Sequence, residues 1–596
     1  MENNLSIKGE IIQLVYDWFV SGKFRVNRKY QRKLVWTYDE KEKFIDSISR
    51  QYSVPLFLFV RTKTTMGEHY EIIDGMQRLD AIFSFIEGEF KLENEKYNGY
   101  FDLETMARTK ELMDSGKLIQ KQPILPRELC TSIANYQLPF SITSYDDMHV
   151  EEIFRRINAN GRQLSKQELR QAGVIGEFSD LVRHIACKIR TDFSESDVLE
   201  LSQMRKISLS NKNLDYGIDI RNIYWTKEGI ITLKNIRESR DEELIAHILV
   251  YILLGPEESP TSHTLDVIYG RKEDEKRLVD KLNGKIVRLG SDSIEKKFMD
   301  VVDELKKISA TSGKTYSKLL FDGDGTAKSR SFQVVFLTIY NLICSDKMIT
   351  DYKGLSRALR GIGNRELQNL GSSEWGSSVR QEKINALTGI IKKYFKTAYT
   401  KGPATNEWIS RLEMMLTQSM IEQQMLEFKI GLCGLNQEKK YNKQCLSKIV
   451  KTLTAMGNTE FGKKGYILLG IADKQEDSNL HRKIYDAEPR KFNTYYIVGV
   501  KDEADSSMGS LDNYFGKIRQ EVEKEPIDED VKSYILRHMK QITYYDKALI
   551  LFEICAEDKP LVYDGKYYER NANSVIELEA GTEQFNNLMR RAYTRN

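Results

Sequence analysis

The chain has 596 residues, with 90 Lys and Arg against 87 Asp and Glu, a formal net charge of +3. At ~150 residues per domain, that length predicts about three or four domains. A composition 40% hydrophobic and 30% charged excludes collagen-like and fully disordered classes. So small a net charge argues for no nucleic-acid partner by itself, and any binding surface has to be a local patch.

The six cysteines, Cys130, Cys187, Cys344, Cys433, Cys445 and Cys555, form no C-x-x-C. Scattered this way they read as reduced cytosolic thiols, not as a disulfide framework or a zinc site. Residues 1–10 lack an apolar h-region, so no secretory signal is expected. The apolar runs at 246–254 and 332–343 fall short of the ~20 residues of a membrane span. A cytoplasmic protein without a membrane partner is expected.

The first part, residues 1–175, mixes strand-like and helix-like segments. Residues 54–60 form an apolar run opened by Pro55, and a second run at 70–73 ends at Asp74-Gly75. From 77 to 86 the apolar residues Leu79, Ile82, Phe83 and Ile86 share one helical face. The predicted order is strand, tight Gly turn, helix. In Asp74-Gly75-Met76-Gln77-Arg78 the glycine lets the backbone approach a ligand, and a helix N-terminus offers amides to an anion. Arg78 suits a bidentate grip on phosphate, and Asp74 suits a metal-bound water or a sugar hydroxyl. The same pentapeptide also fits a plain D-G turn with a capping aspartate.

Two further stretches bear on this site. Residues 23–36 carry Lys23, Arg25, Arg28, Lys29, Arg32 and Lys33 with no acidic residue, interleaved with Phe24, Tyr30 and Trp36. That mixture suits a phosphate and a stacked base, although a basic loop is often only a solvated face. Residues 154–165 hold an Asn160-Gly161 turn, and Ser165 with Glu168 forms a capping-box signature. Asn158 has no helical duty and is the functional candidate there.

Together the three stretches resemble the ParB-like, sulfiredoxin-fold N-terminal domain of GmrSD-type bacterial defence proteins. Gln31-Arg32…Val35-Trp36, then residues 74–78, then Phe154…Ile157-Asn158…Gly161…Leu164-Ser165 follow that family's order and spacing. Met76 stands where the family has its first Gln. The resemblance implies binding and hydrolysis of a nucleoside triphosphate, often coupled to sensing of phage DNA. Its nucleotide-binding residues would be Gln31, Arg32, Trp36, Asp74, Gly75, Gln77, Arg78 and Asn158, with Asp74 and Arg78 in catalysis.

The middle part, 176–400, is expected to be a helical domain, with apolar faces of helical period at 244–254, 293–309, 331–344 and 381–396. It shows no catalytic constellation.

In the third part, 401–596, helices are expected at 410–425 and 445–456. Strands are expected at 426–430, 466–471, 494–500, 548–554 and 560–563, giving a mixed α/β domain. If 426–430 is a strand, Glu427 and Lys429 share a face. Glu422 at the end of the preceding helix and Asp473 after the next strand add two carboxylates. Three carboxylates and a lysine fit two-metal phosphodiester cleavage with Mg²⁺ or Mn²⁺, although acidic residues at helix ends and strand edges are usually only solvated.

Glu422…Glu427-Phe428-Lys429, then Ala455-Met456-Gly457-Asn458-Thr459, then residues 465–473 and the tail Lys559-Pro560…Tyr567-Tyr568-Glu569-Arg570 resemble the Schlafen or AlbA-like domain over about 415–580. Phe461 replaces a small residue of that family's turn. The resemblance implies that Glu422, Glu427 and Asp473 are metal ligands and that Lys429 assists. Other members of that family are DNA- or nucleotide-binding modules. The seven histidines form no H-E-x-x-H, HNH-like or H-x-K set, and no Walker A, G-x-S-x-G or kinase set is present.

The chain is therefore expected to be an α+β multidomain protein. Its parts are a ParB-like α/β domain at 1–175, a helical domain at 176–400 and a Schlafen-like α/β domain at 401–596. The expected function is anti-phage defence, with a nucleotide-hydrolysing sensor controlling a metal-dependent nuclease that acts on DNA or RNA. The alternative is a nucleotide-hydrolysing binding or regulatory protein without nuclease activity. Whether it forms a homo-oligomer stays open.

Overall fold

The computed structural model describes residues 6–29, 33–64, 67–143, 165–171, 176–194, 196–212, 214, 216–271, 276–321, 328–345, 347–367, 375–397, 408–419, 424–435, 439–557 and 559–593. The chain divides into two compact units, Met1–Thr397 and Ala398–Asn596. It is a mixed α and β protein with several separate sheets. Among the described residues, no helix is long and apolar enough to cross a membrane.

The first unit is built on a six-stranded sheet. Its strands are β1 Ser6–Ile11, β2 Phe24–Asn27, β3 Phe57–Thr64, β4 Gly67–Asp74, β5 Gln137–Thr143 and β6 Val198–Glu200. They lie in the order β1-β5-β3-β4-β2-β6. Strands β3 and β4 are antiparallel, with a bulge at Leu58/Phe59. Strand β5 runs parallel to β3, and β2 runs parallel to β4. The sheet takes β6 from beyond residue 175, with Val26 opposite Leu199.

Helices α1 Ile12–Val20, α2 Tyr38–Ser49 and α3 Met76–Ile86 pack around this sheet. Phe19 of α1 stacks on Phe83 of α3 at 4.3 Å. Phe24, Phe59 and Phe140 of the strands continue the cluster. Burying large aromatic faces on one another supplies much of the core's apolar area.

Behind the sheet stand α4 Glu177–Arg190, α5 Arg240–Leu254, α6 Ser291–Ser312, α7 Ser329–Cys344 and α8 Ser377–Ile391. The four helical faces expected from periodicity fall on α5 to α8. The last is shorter than expected, because Phe395–Thr397 leaves the helix to pair with Lys347–Ile349.

The second unit holds a four-stranded sheet of β7 Leu426–Lys429, β8 Gly465–Leu469, β9 Lys540–Tyr544 and β10 Lys547–Ile554, in the order β7-β8-β10-β9. Strands β7 and β8 are parallel and the rest antiparallel. Helix α9 Lys443–Thr459 covers one face, burying Leu446, Ile449, Val450, Leu453 and Met456 with Ile467, Leu469 and Phe552. The helix Ile409–Gln418 covers the other with Leu412 and Leu416 against Leu426, Leu468 and Leu551. A second sheet, β11 Val562–Tyr563, β12 Lys566–Asn571 and β13 Ser574–Leu578, closes over α9. The strand expected at 494–500 is only Tyr495–Ile497, because Val500 already caps the next helix, Lys501–Met508.

Candidate functional site

The junction of β4 and α3 is built on one glycine. Gly75 has φ +105° and is the N-cap of α3. A Cβ there would sit 2.4 Å from Cδ1 of Phe57. Backbone angle and packing both require glycine. Asp74 leaves its carboxylate 45% exposed beside the first turn of α3, whose amides have no side-chain cap. An uncapped helix start of this kind favours negative charge.

The two polar residues that follow are turned inward. The Arg78 guanidinium donates to Pro55 O, to Leu56 O at 3.1 Å and to Asp74 Oδ2 at 2.7 Å, and lies 4.5 Å from the centre of the Phe57 ring. Burial lowers its pKa, and Asp74 pushes it back up. Arg78 therefore fixes the chain before β3 and orients Asp74. Gln77 is a backbone clip. Its Oε1 accepts from Val35 N at 3.0 Å and Trp36 N at 3.1 Å, and its Nε2 donates to Lys33 O at 2.7 Å. It holds residues 33–36 along the start of α3, with the Trp36 ring edge-on to Phe44 at 5.8 Å. Gln31, Arg32 and Asn158 lie outside the described residues.

Within the cationic run at 23–36, Arg25, Arg28 and Lys33 are engaged by residues beyond 175. Arg28 is buried, donating to Asp192 O at 2.6 Å and Ser194 Oγ at 2.8 Å. Lys33 donates to Ile236 O at 3.1 Å and Ser239 Oγ at 2.9 Å, and lies 3.5 Å from Glu242. Arg25 pairs with Glu200 at 2.8 Å. Charge density in the sequence therefore overstates the free cationic surface here.

In the second unit the expected pairing of Glu427 and Lys429 on one face of β7 is present, with Lys429 Nζ 2.6 Å from Glu427 Oε1. The other carboxylate oxygen, Oε2, accepts from Arg570 Nη1 at 2.6 Å. Arg570 has only 1% of its side chain exposed. Burial lowers its pKa, and Glu427 opposes that.

The Asn-Thr pair at the end of α9 places this arginine. Asn458 donates to Leu561 O and Tyr568 O at 2.8 Å and accepts from Leu561 N at 2.7 Å. Thr459 Oγ1 accepts from Arg570 N at 2.9 Å. Gly457 leaves room for Leu561, whose Cδ1 would lie 2.5 Å from an added Cβ. The motif at 455–459 is thus a clasp on the closing strands, and through them it brings Arg570 to Glu427.

Asp473 is exposed. It lies close enough to Tyr495 to help raise that phenol's pKa, after burial and against the Ser419 hydrogen bond. Tyr495 packs edge-on against Phe428 at 5.1 Å, on the face of β7 away from Glu427. No hydrogen bond or ion pair among the described residues joins Asp473 to Glu427 or Lys429, and Glu422 lies outside the described residues. Among the described residues no three His, Cys, Asp or Glu side chains form a metal-holding group. As arranged, the Glu427 carboxylate is paired with two side-chain cations. Sequence reasoning had not given Arg570 a role at this site. Arg570 closes the Tyr567-Tyr568-Glu569-Arg570 run that entered only through the family resemblance.

Residues 15–175 match the family model of the GmrSD restriction endonuclease N-terminal domain. The matched stretch contains the β4–α3 junction and is similar to the N-terminus of a GmrSD-type defence protein. No curated protein matches the chain.

Proposed function

We propose that the chain is a bacterial anti-phage defence protein in which nucleotide binding and hydrolysis in the N-terminal unit control nucleic-acid cleavage by the C-terminal unit. The observation that supports this best is the likeness of residues 15–175 to a restriction endonuclease N-terminal domain. In this reading a nucleoside triphosphate lies at the uncapped start of α3, where the amides and the helix dipole favour its phosphates. Asp74 faces it, Gln77 and Arg78 hold the walls in register, and Trp36 supplies an aromatic face. Gln31, Arg32 and Asn158 are the remaining residues proposed to bind nucleotide. Glu422, Glu427, Lys429 and Asp473 are the proposed cleavage residues. The requirement for Mg²⁺ or Mn²⁺ rests on the Schlafen resemblance alone.

A second reading is favoured by the double pairing of Glu427 with Lys429 and Arg570. A carboxylate neutralised in this way has no charge left over for a metal, and the C-terminal unit would then bind DNA or RNA without cutting it.

One experiment separates the two. Purified protein is incubated with single- and double-stranded DNA and RNA, with Mg²⁺ or Mn²⁺, with and without nucleoside triphosphates. Metal-dependent cleavage that disappears in Glu427→Ala supports the nuclease. Intact polymers with salt-sensitive binding and released phosphate support the second reading. No phosphate release and no polymer binding or cleavage overturn both.

A further inference from the structure

Away from the residues discussed so far, the helical part of the first unit holds a half-open cavity of about 420 Å³. Such a volume lies in the range of small-molecule sites, roughly 300–1,000 Å³. One face of α5 lines it with Arg240, Glu243, Leu244 and His247, the i, i+3, i+4, i+7 spacing that places side chains in one row. The start of α7 supplies Ser329, Arg330 and Gln333, and Trp375 closes one side. Arg330 sits 5.9 Å from the centre of the Trp375 ring.

Three observations say what such a cavity would take. Gln333 lines it, is 4% exposed, and its Oε1 accepts no hydrogen bond. The buried Nδ1 of His247 is also without a partner. Leaving a buried polar atom unpaired costs about 1–3 kcal/mol, so two in one cavity mark places where an occupant's donors and acceptors fit.

The field is cationic. Burial, with Arg170, Arg380 and Arg330 acting in the same direction and Glu243 opposing, lowers the His247 pKa to about 4. Glu243 is itself held by Arg240 and Arg170 at 2.6 and 2.9 Å. The first turn of α7 adds positive helix-end potential, with no acidic residue and no side-chain cap there.

We propose that this cavity is a second ligand site, separate from the β4–α3 junction, for a small phosphate-bearing sugar compound of mononucleotide size. The phosphate lies toward Arg240, Arg330 and the start of α7. A hydroxyl or amine donor reaches Gln333 Oε1, and neutral His247 offers its open nitrogen to the remainder.

The test is calorimetric titration of the full chain with AMP, ribose 5-phosphate, inorganic phosphate and adenosine. AMP and ribose 5-phosphate are expected to bind, and adenosine is expected to bind at least tenfold more weakly than AMP. Binding by inorganic phosphate at the AMP affinity would show an anion site with no sugar recognition and overturn the class of ligand. Arg330→Gln and Gln333→Leu should each weaken AMP about tenfold, roughly 1.4 kcal/mol, while Asp74→Asn leaves it unchanged.

Gln333→Leu also removes an unpaired buried carbonyl, so the melting temperature of its ligand-free form should hold or rise while the AMP-induced rise is lost. No binding of AMP or ribose 5-phosphate at millimolar concentration overturns the proposal. So does binding that is insensitive to both cavity substitutions, or binding that Asp74→Asn abolishes.

Discussion

Gln77 occupies a motif position that invites a ligand role, yet its side-chain hydrogen bonds go to the backbone of residues 33–36. Gln77→Ala should lower stability by roughly 2–3 kcal/mol, at about 1 kcal/mol for each hydrogen bond, as read by urea unfolding. A residue that only touched nucleotide would leave the unfolding curve in place and move affinity alone. The partners lie 41 to 44 positions away and are main-chain atoms, which no side-chain pattern marks. The motif was legible in the sequence and this task was not.

His481 carries a pH dependence of its own. It is 0% exposed, its ring lies tilted against Tyr485 at 4.6 Å, and neither ring nitrogen has a hydrogen-bond partner. Burial lowers its pKa from 6.5 to about 4, with Asp502 raising it and Lys547 lowering it. The folded state thus disfavours the proton that the unfolded chain takes up below pH 6.5. Its contribution is complete above that pH and is lost as pH falls toward about 4, up to roughly 3 kcal/mol. Glu503, whose pKa burial raises, works in the opposite direction, so the comparison has to be made against a variant. Unfolding midpoints of His481→Phe and the parent chain should converge at pH 7 and separate as the pH falls, with the variant less acid-sensitive.

At the scale of elements, the strand, glycine turn and helix around residues 74–78 were readable because apolar period and turn chemistry agreed there. Helix α9 was readable from Leu446, Ile449, Val450, Leu453 and Met456, all of which are core residues. What lay beyond reach was the coupling of elements far apart in sequence. Asn458 and Leu561 are 103 positions apart, and Glu427 and Arg570 are 143 apart. The residue types gave no sign of which pairs would meet. Asn458→Ala should cost about 3–5 kcal/mol, since it strands one amide and two carbonyls in a dry site. Asn458→Asp should do little better, because a carboxylate accepts from Leu561 N but cannot donate to Leu561 O and Tyr568 O. Hydrogen exchange should then show fast opening confined to 560–578, with α9 and β8 still protected. Uniform loss of protection would mean that the clasp holds the whole unit rather than its closing strands.

At the scale of the whole molecule, three cations of the basic run at 23–36, Arg25, Arg28 and Lys33, tie it to chain beyond residue 175. Arg28 is bonded to Asp192 and Ser194, and Lys33 to Ile236 and Ser239. Arg190 is buried with Asp192, Asp241 and Glu242. Strand β6, the last of the first sheet, also comes from beyond residue 175. A fragment of residues 1–175 would therefore lose one edge of its sheet and these partners of Arg28 and Lys33. It should precipitate or show no cooperative melting, whereas residues 1–397 should melt as one transition. A fragment of 1–175 that melts cooperatively would show these ties to be dispensable.

The edge strand β6 has a consequence for ancestry. The stretch that matches the family model stops at residue 175, but the sheet it builds is finished by chain that the match does not cover. The heritable module and the piece that folds are of different sizes. Exchanging this module between related proteins at the boundary of likeness would import a sheet lacking its rim. A graft cut after β6 and the helices that neutralise Arg28 and Lys33 is the one that should travel intact.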